Sequence, residues 1–432
     1  MPIMTGFGSL NNLLKHHAMK RIFPFVSIIV LSVLAACNGQ KETNKASEME
    51  VEVQNTLDIS RASGTITISL EELEASFPEA EAYAVYSGMQ EIPHQLIKEG
   101  PNAGLMILIE EIEAEETQKL TVKGISKDSA SSFPKRTQAE LSIKEGGEWK
   151  GREYIGGSFK NVDSLRVPDE HTDHSWYIRY EGPGWESDLV GYRFYLDWRN
   201  ATDVFGKTTT DMVLQNAGQD GFDSYHELSD WGMDVLKVGK SLGIGSPAYF
   251  DGEKAIRIDS TDSINSKILA NGAIYSSVKT NYYGWSVSDK KLDITSFYSI
   301  HAGSRLTHHH IDFEGNTDNL ATGIGKADSA KIYTSKGSSE AFGYIVTYGR
   351  QSLNNDKLGL AVLFPSEALK QITADQYSDI VVLTPQHNAV DYYFLAAWEL
   401  EKEGITTEED FLKYVENTAR ELASPLVVTI KK

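Results

Sequence analysis

Leu189-Val190-Gly191-Tyr192-Arg193-Phe194-Tyr195-Leu196-Asp197-Trp198 alternates with a period of two. Val190, Tyr192, Phe194 and Leu196 share one face of such a strand, and Gly191, Arg193, Tyr195 and Asp197 share the other. Working outward, similar alternating or β-branched runs recur at Gly64–Leu70, Gly104–Ile109, Ala273–Thr280, Leu292–Ile300, Ser304–Phe313, Gly343–Tyr348, Leu358–Phe364, Asp391–Ala397 and Leu426–Ile430. Many are bounded by Gly, Asn, Asp or Pro, as strands are. One stretch reads clearly as a helix: Thr407 caps an acidic first turn, and Phe411, Leu412, Val415, Ala419 and Leu422 then share a face up to Ala423. The chain is therefore mainly β with a short C-terminal helix, and no repeat of fixed period runs through it.

The opening of the chain has a different character. Lys20 and Arg21 precede an apolar run, Ile22 to Leu34, of about 13 residues, and Leu34-Ala35-Ala36-Cys37 closes it. A membrane span needs roughly 20 apolar residues, so this pattern reads as an export signal. With Cys37 the only cysteine, it resembles a bacterial lipoprotein lipobox, which implies lipidation of Cys37 and attachment to a membrane. Asn38 after the cysteine favours the outer membrane. The expected organisation is leader and signal peptide over 1–36, a flexible tether over 37–60, a small β-sandwich over 61–150 and a larger β domain over 151–432. A single cysteine also excludes an intramolecular disulfide and a cysteine metal site.

Formal charge is −20, from 41 basic and 61 acidic residues. Nucleic-acid binding needs a basic footprint and is disfavoured. An anionic ligand would need positive charge concentrated in a pocket. Trp176, Trp185, Trp198, Trp231, Trp285 and Trp398 crowd the chain downstream of a composition shift near Gly146–Lys160. Aromatic residues are core first, and in an exported β-protein they are also platforms for sugar rings.

Three stretches carry a resemblance. Trp185-Glu186-Ser187-Asp188-Leu189-Val190-Gly191-Tyr192-Arg193, His226 to Gly239, and Ser299 to Leu306 together resemble the motifs of a bacterial lipoprotein family long catalogued as a domain of unknown function. That family resembles β-supersandwich proteins of the galactose-mutarotase type. One branch, encoded among ulvan-degrading enzymes, is an oligosaccharide dehydratase. The resemblance implies a small N-terminal β-sandwich followed by a large β-supersandwich. It also implies removal of water from a non-reducing-end glucuronic acid, giving a 4,5-unsaturated uronic acid.

That reaction needs a cation for the uronate carboxylate, a base for H5 and an acid for the departing 4-hydroxyl. It needs no redox cofactor, and the chain has no Rossmann or P-loop fingerprint; a divalent metal is an open alternative. Arg193 and Arg199 suit carboxylate or sulfate recognition through their planar forks. Tyr225 and His226, on a loop with Asp220 and Asp223, form a candidate acid–base pair, and Lys237 can hold an anion. In Ser304–Phe313, His308 and His310 share one face, as catalytic groups or metal co-ligands, while Arg305 and His309 share the other as rival substrate contacts. Trp231 and Trp398 are candidate sugar platforms. His171, Asp173 and His174 form a possible metal cluster; Tyr348, Arg350, Tyr392 and Tyr393 are secondary. The competing classes are a lyase or dehydratase, a glycan-binding lipoprotein without turnover, and a mutarotase or epimerase. No carboxylate pair of the kind a retaining glycosidase uses can be placed.

Overall fold

The computed structural model describes residues 48–221, 223–402 and 404–431, all within one compact unit. Cys37 and the signal segment lie outside the described residues. Strands dominate, as the alternation requires.

The largest sheet is nine-stranded and antiparallel. Its order is Ser164–Arg166, Ser263–Asn271, Tyr275–Val287, Lys290–His301, Thr307–Glu314, Ala389–Trp398, Leu358–Phe364, Gly343–Gly349 and Ala330–Ser335. One face packs against two five-stranded sheets. The first runs Gly232–Asp234, Thr202–Lys207, Val190–Phe194, Gly184–Ser187, Thr137–Glu140; the second runs Ala255–Arg257, Ala248–Phe250, Leu320–Gly325, Ser378–Leu383, Leu369–Ala374. Their shared core contains Trp185, Tyr192, Phe194, Tyr282, Trp285, Tyr298, Phe394 and Trp398. Trp185 stacks on Tyr298 with centroids 4.8 Å apart, and its Nε1 donates to Thr307 Oγ1 at 2.9 Å. Each such buried side chain contributes about 1.5–3 kcal/mol.

The helix Glu408–Ala423 covers the opposite face of the nine-stranded sheet through Phe411, Val415 and Ala419. Thr407 caps it by accepting from the Asp410 amide at 3.1 Å. Gly359 is required beneath it, because a Cβ there would lie 2.6 Å from the Phe411 ring.

A smaller sandwich pairs the sheet Val427–Lys431, Glu48–Gln54, Thr117–Ile125, Ala82–Ser87, Gln90–Glu91 with the sheet Gly64–Ile68, Gly104–Ile109, His94–Ile97. Two boundaries differ from the sequence reading. The expected tether to residue 60 gives way at Glu48, because Met49, Val51 and Val53 alternate into this core despite their acidic neighbours. The small sandwich also ends before residue 150, since Thr137–Glu140 pairs with Gly184–Ser187 of the larger body. Both ends of the described chain close the small sandwich, Glu50 facing Lys431.

The strand read as Leu189–Trp198 stops at Phe194. Beyond it, residues 197–200 turn, with Asn200 in the left-handed region at φ 40°. Val190–Phe194 is buried on both faces, so its polar face is an internal one.

Candidate active site

Two buried ion pairs fix a loop at the edge of the first five-stranded sheet. Glu186 takes Lys207 Nζ at 2.8 Å and the amides of Val213 and Leu214, each at 2.9 Å. Arg179, paired with Glu140, donates Nη1 to the carbonyls of Leu214, Gln215 and Ala217 at 3.0, 2.5 and 3.0 Å. The motif around Trp185–Asp188 is thus a structural anchor: Ser187 holds the Ser304 carbonyl at 2.6 Å and Asp188 the Gly303 amide at 2.7 Å. The fixed loop delivers Tyr225 and His226 in the short turn Ser224–His226. Gly218, at φ 69°, lets the Tyr225 ring pack closely, since a Cβ there would lie 3.2 Å from it.

Beneath the turn lies Arg193, whose side chain is 1% exposed. Its Nη2 meets Asp203 Oδ2 at 2.7 Å, Asp234 Oδ2 at 2.6 Å and Tyr195 Oη at 2.6 Å, while Nη1 donates to Tyr225 Oη at 2.9 Å. Tyr195 donates in turn to Asp203 at 2.6 Å. Burial and the neighbouring Asp234 push Asp203 up to about 7 against the pull of Arg193. Burial pushes Tyr225 up to about 12, again against Arg193, so its phenol stays protonated at neutral pH. His226 Nε2 lies 3.2 Å from Asp234 Oδ2, and its ring packs on Tyr225 at 4.6 Å. With Nε2 turned to the carboxylate, Nδ1 lies on the other side of the ring.

The narrow pocket beside this network has a cavity volume of about 20 Å³ and is lined by Phe159, His174, Trp176, Ile178, Tyr180, Glu181, Gly218, Gly221 and Tyr225. Among the described residues ten non-glycine positions have positive φ, and four of them, His174, Trp176, Tyr180 and Glu181, line this one pocket. Bulky side chains pay strain there, and such strain concentrates at functional sites.

Arg199 closes the same region. Its guanidinium lies 3.7 Å over the Tyr195 ring, Nε is 2.9 Å from Asp197 Oδ1, and Nη2 is 2.8 Å from Glu181 and 3.1 Å from Asp173. Its Nη1 has no hydrogen-bond partner among the described residues. Burial works against ionised Glu181, yet Arg199 and then Arg193 hold it at about 2. Asp173, His174 and Glu181 offer ligand atoms within 4.8 Å of one another, a set able to hold a divalent cation. Arg199 already supplies positive charge to both carboxylates, so a cation would compete with it.

The other sequence candidates stand elsewhere. Arg193 is not a substrate contact, because burial and two carboxylates consume its charge. Arg305 is buried against Glu401 at 2.7 Å. His309 faces the core, stacked 4.0 Å from Tyr298, where burial holds it well below the usual histidine range. Trp398 is core, its Nε1 donating to Asp356 at 2.6 Å. Trp231 is half-buried behind the site, 6.1 Å from Phe205. Lys237 is exposed and does not line the pocket. His308 and His310 share a different cleft, with Asn102, Tyr275 and Phe297.

In that cleft His308 Nε2 and His310 Nδ1 both reach Asp391 Oδ1 at 2.8 Å. The Asp391 bond raises His310, and the two histidines hold Asp391 well below the carboxylate range despite burial. A raised histidine stabilises fully below its unfolded value, about 6.5, and loses this as pH rises through its folded value. A depressed carboxylate stabilises above about 3.9 and loses this as pH falls through its folded value. Asp391→Asn is therefore expected to lower the melting temperature most between about pH 4 and 6.5, with the gap to wild type narrowing towards pH 8. Paired thermal melts across that range check it, and a gap independent of pH would contradict the assignment.

Sequence reasoning missed Asp203 and Glu181. Asp203 is a lone charge within the otherwise uncharged start of Thr202–Lys207, a signal that was there to be read; Glu181 offers none.

A family model described as "Domain of unknown function (DUF4861)" matches residues 53–428. No curated protein matches the chain. Among solved structures, it is similar to an alpha-mannosidase from Enterococcus faecalis V583, with a TM-score of 0.46 and 9% identity over 89% of this chain and 46% of that one. It is also similar to a protein in the glycosyl hydrolase family 38 from Enterococcus faecalis, with a TM-score of 0.45 and 8% identity over 89% of this chain and 48% of that one. The chain thus spans about half the length of these structures.

Proposed function

The chain belongs to the DUF4861 family, and from that premise we propose that it is a carbon–oxygen lyase. It removes water from a non-reducing-end glucuronic acid of ulvan-type oligosaccharides and leaves a 4,5-unsaturated uronic acid. The observation that carries this reading is the strained pocket in which Tyr225, Glu181 and His174 converge beside His226 and Arg199.

Arg199 Nη1 receives the uronate carboxylate and stabilises the charge that develops when H5 leaves. Its fork is pre-set by Asp197 and Glu181, so little order is lost on binding. His226, oriented through Asp234, takes H5. Electrons from the C5–H bond form the C4–C5 double bond as the C4–O bond breaks. Tyr225, protonated at neutral pH, gives its proton to the departing hydroxyl, and Arg193 Nη1 steadies the phenolate left behind. Water leaves, and solvent returns the proton from His226 to Tyr225. No redox cofactor enters this scheme. A divalent cation held by Asp173, His174 and Glu181 would compete with Arg199 for those carboxylates and would supply the positive charge for the uronate in its place.

Ultraviolet absorbance of the conjugated product tests the reaction class. Saturated glucuronyl oligosaccharides should gain absorbance with no new reducing end. New reducing ends would mean chain cleavage, and binding with neither signal would mean a glycan-binding protein.

The same reading places the chain at the outer membrane through a lipid on Cys37, supported by the lipobox-like Leu34-Ala35-Ala36-Cys37. Cys37→Ala is expected to move the protein from the membrane to the soluble fraction. Unchanged membrane recovery on fractionation would remove the anchor.

A further inference from the structure

Trp198 and Arg257 stand together at the turn that carries Arg199 and have no part in the scheme above. Trp198 is 47% exposed, whereas Trp185, Trp285 and Trp398 are fully buried. It sits in the turn that also carries Arg199. The Arg257 guanidinium lies 5.5 Å from the Trp198 ring centroid. Asn200 ties the two segments together, donating Nδ2 to the Ile258 carbonyl at 2.5 Å, so Trp198 and Arg257 are held in fixed relation.

The polar edge of Arg257 is the second observation. Nη1 donates to the carbonyls of Ser241 and Gly239 at 3.0 and 3.3 Å, which fixes the plane of the fork. Nε and Nη2 have no hydrogen-bond acceptor among the described residues, and Arg257 makes no ion pair there. Burial and then Arg199 weaken its charge, while Asp259 and Asp197 favour it from beyond ion-pair distance. The guanidinium is thus half-buried and held in plane, with carboxylates nearby but none bonded to Nε or Nη2 among the described residues. A planar fork of this kind suits an oxyanion, and an exposed indole suits a sugar face.

We infer that Trp198 and Arg257 form a second sugar subsite. There the residue next to the reacting uronate stacks on Trp198 and offers a sulfate or carboxylate to Nε and Nη2 of Arg257. The assignment of the reacting sugar to the neighbouring pocket rests on the proposed function; binding at this platform does not require turnover.

Titration calorimetry separates the two. The probes are a sulfated ulvan-type tetrasaccharide, its desulfated counterpart, and a single glucuronate. Arg257→Gln should weaken the sulfated tetrasaccharide about 10- to 100-fold, as expected for a lost charge-assisted bond. A loss that appears equally with the desulfated probe identifies a carboxylate as the bound group. Trp198→Ala should weaken both tetrasaccharides about 3- to 10-fold, with Trp198→Phe recovering most of the loss. Binding of the single glucuronate, which does not reach the subsite, should stay at the wild-type value in each variant. Wild-type affinity for both tetrasaccharides in Trp198→Ala and Arg257→Gln overturns the subsite, as does a wild-type chain that binds neither. Binding that follows this pattern without any absorbance change removes the elimination chemistry and leaves the subsite standing.

Discussion

Arg193→Ala is expected to destabilise the protein by about 3–5 kcal/mol in urea unfolding, the range for breaking a buried ion pair by removing one partner. The reason is local. Arg193 alone separates Asp203 from Asp234, and it satisfies the hydroxyls of Tyr195 and Tyr225 as well. Without it two buried carboxylates face each other, and Asp203, already at about 7, can relieve this only by taking a proton. Combining Arg193→Ala with Asp203→Asn and Asp234→Asn should recover part of the loss, because the uncompensated charge is then gone. Lysine should not substitute well, since one ammonium cannot reproduce the separate Nε, Nη1 and Nη2 donors that serve these four partners. A variant as stable as wild type would show that the network is dispensable. Activity should fall as well, through misplaced Tyr225 and His226.

His226→Ala carries the second large effect, a fall in kcat of about 10²- to 10⁴-fold, the usual range for a removed general base. Stability should change little, because the His226 side chain is 39% exposed and its bond to Asp234 is at the rim of the network. Tyr225→Phe should lower kcat over a similar range. It should also cost about 1–3 kcal/mol of stability, because Arg193 Nη1 loses its acceptor in a buried place. The two variants therefore differ in melting temperature while agreeing in rate. Full turnover in both would take the chemistry away from this pocket.

How much of this was legible before the structure depends on the element. Alternation in Leu189–Trp198 placed Arg193 and Tyr195 on one face, and the structure joins them at 2.6 Å. The same pattern could not say that this face is internal, because covering both faces of Val190–Phe194 depends on other strands. Arg193 therefore read as a ligand-binding group. It is instead the residue that positions such groups. Period two also separated His309 from His308 and His310, and their burial follows it. Which face looks onto the pocket is a matter of sheet stacking, and neither does. The helix from Glu408 was plain because capping, acidic first turn and apolar stripe all agreed. The small sandwich was misjudged at its edges, since Glu48–Gln54 is completed by a strand from the far end of the chain. The pocket itself rests on positive φ at His174, Trp176, Tyr180 and Glu181, which no residue type there announces.

The most direct test uses a glucuronyl oligosaccharide with deuterium at C5 of its terminal uronate, followed by absorbance in a single turnover. If His226 abstracts that hydrogen, wild type should form the conjugated product with a primary isotope effect, and His226→Ala should form it at least about 10²-fold more slowly. Equal rates in wild type and His226→Ala, or no conjugated product from wild type, would contradict the proposal.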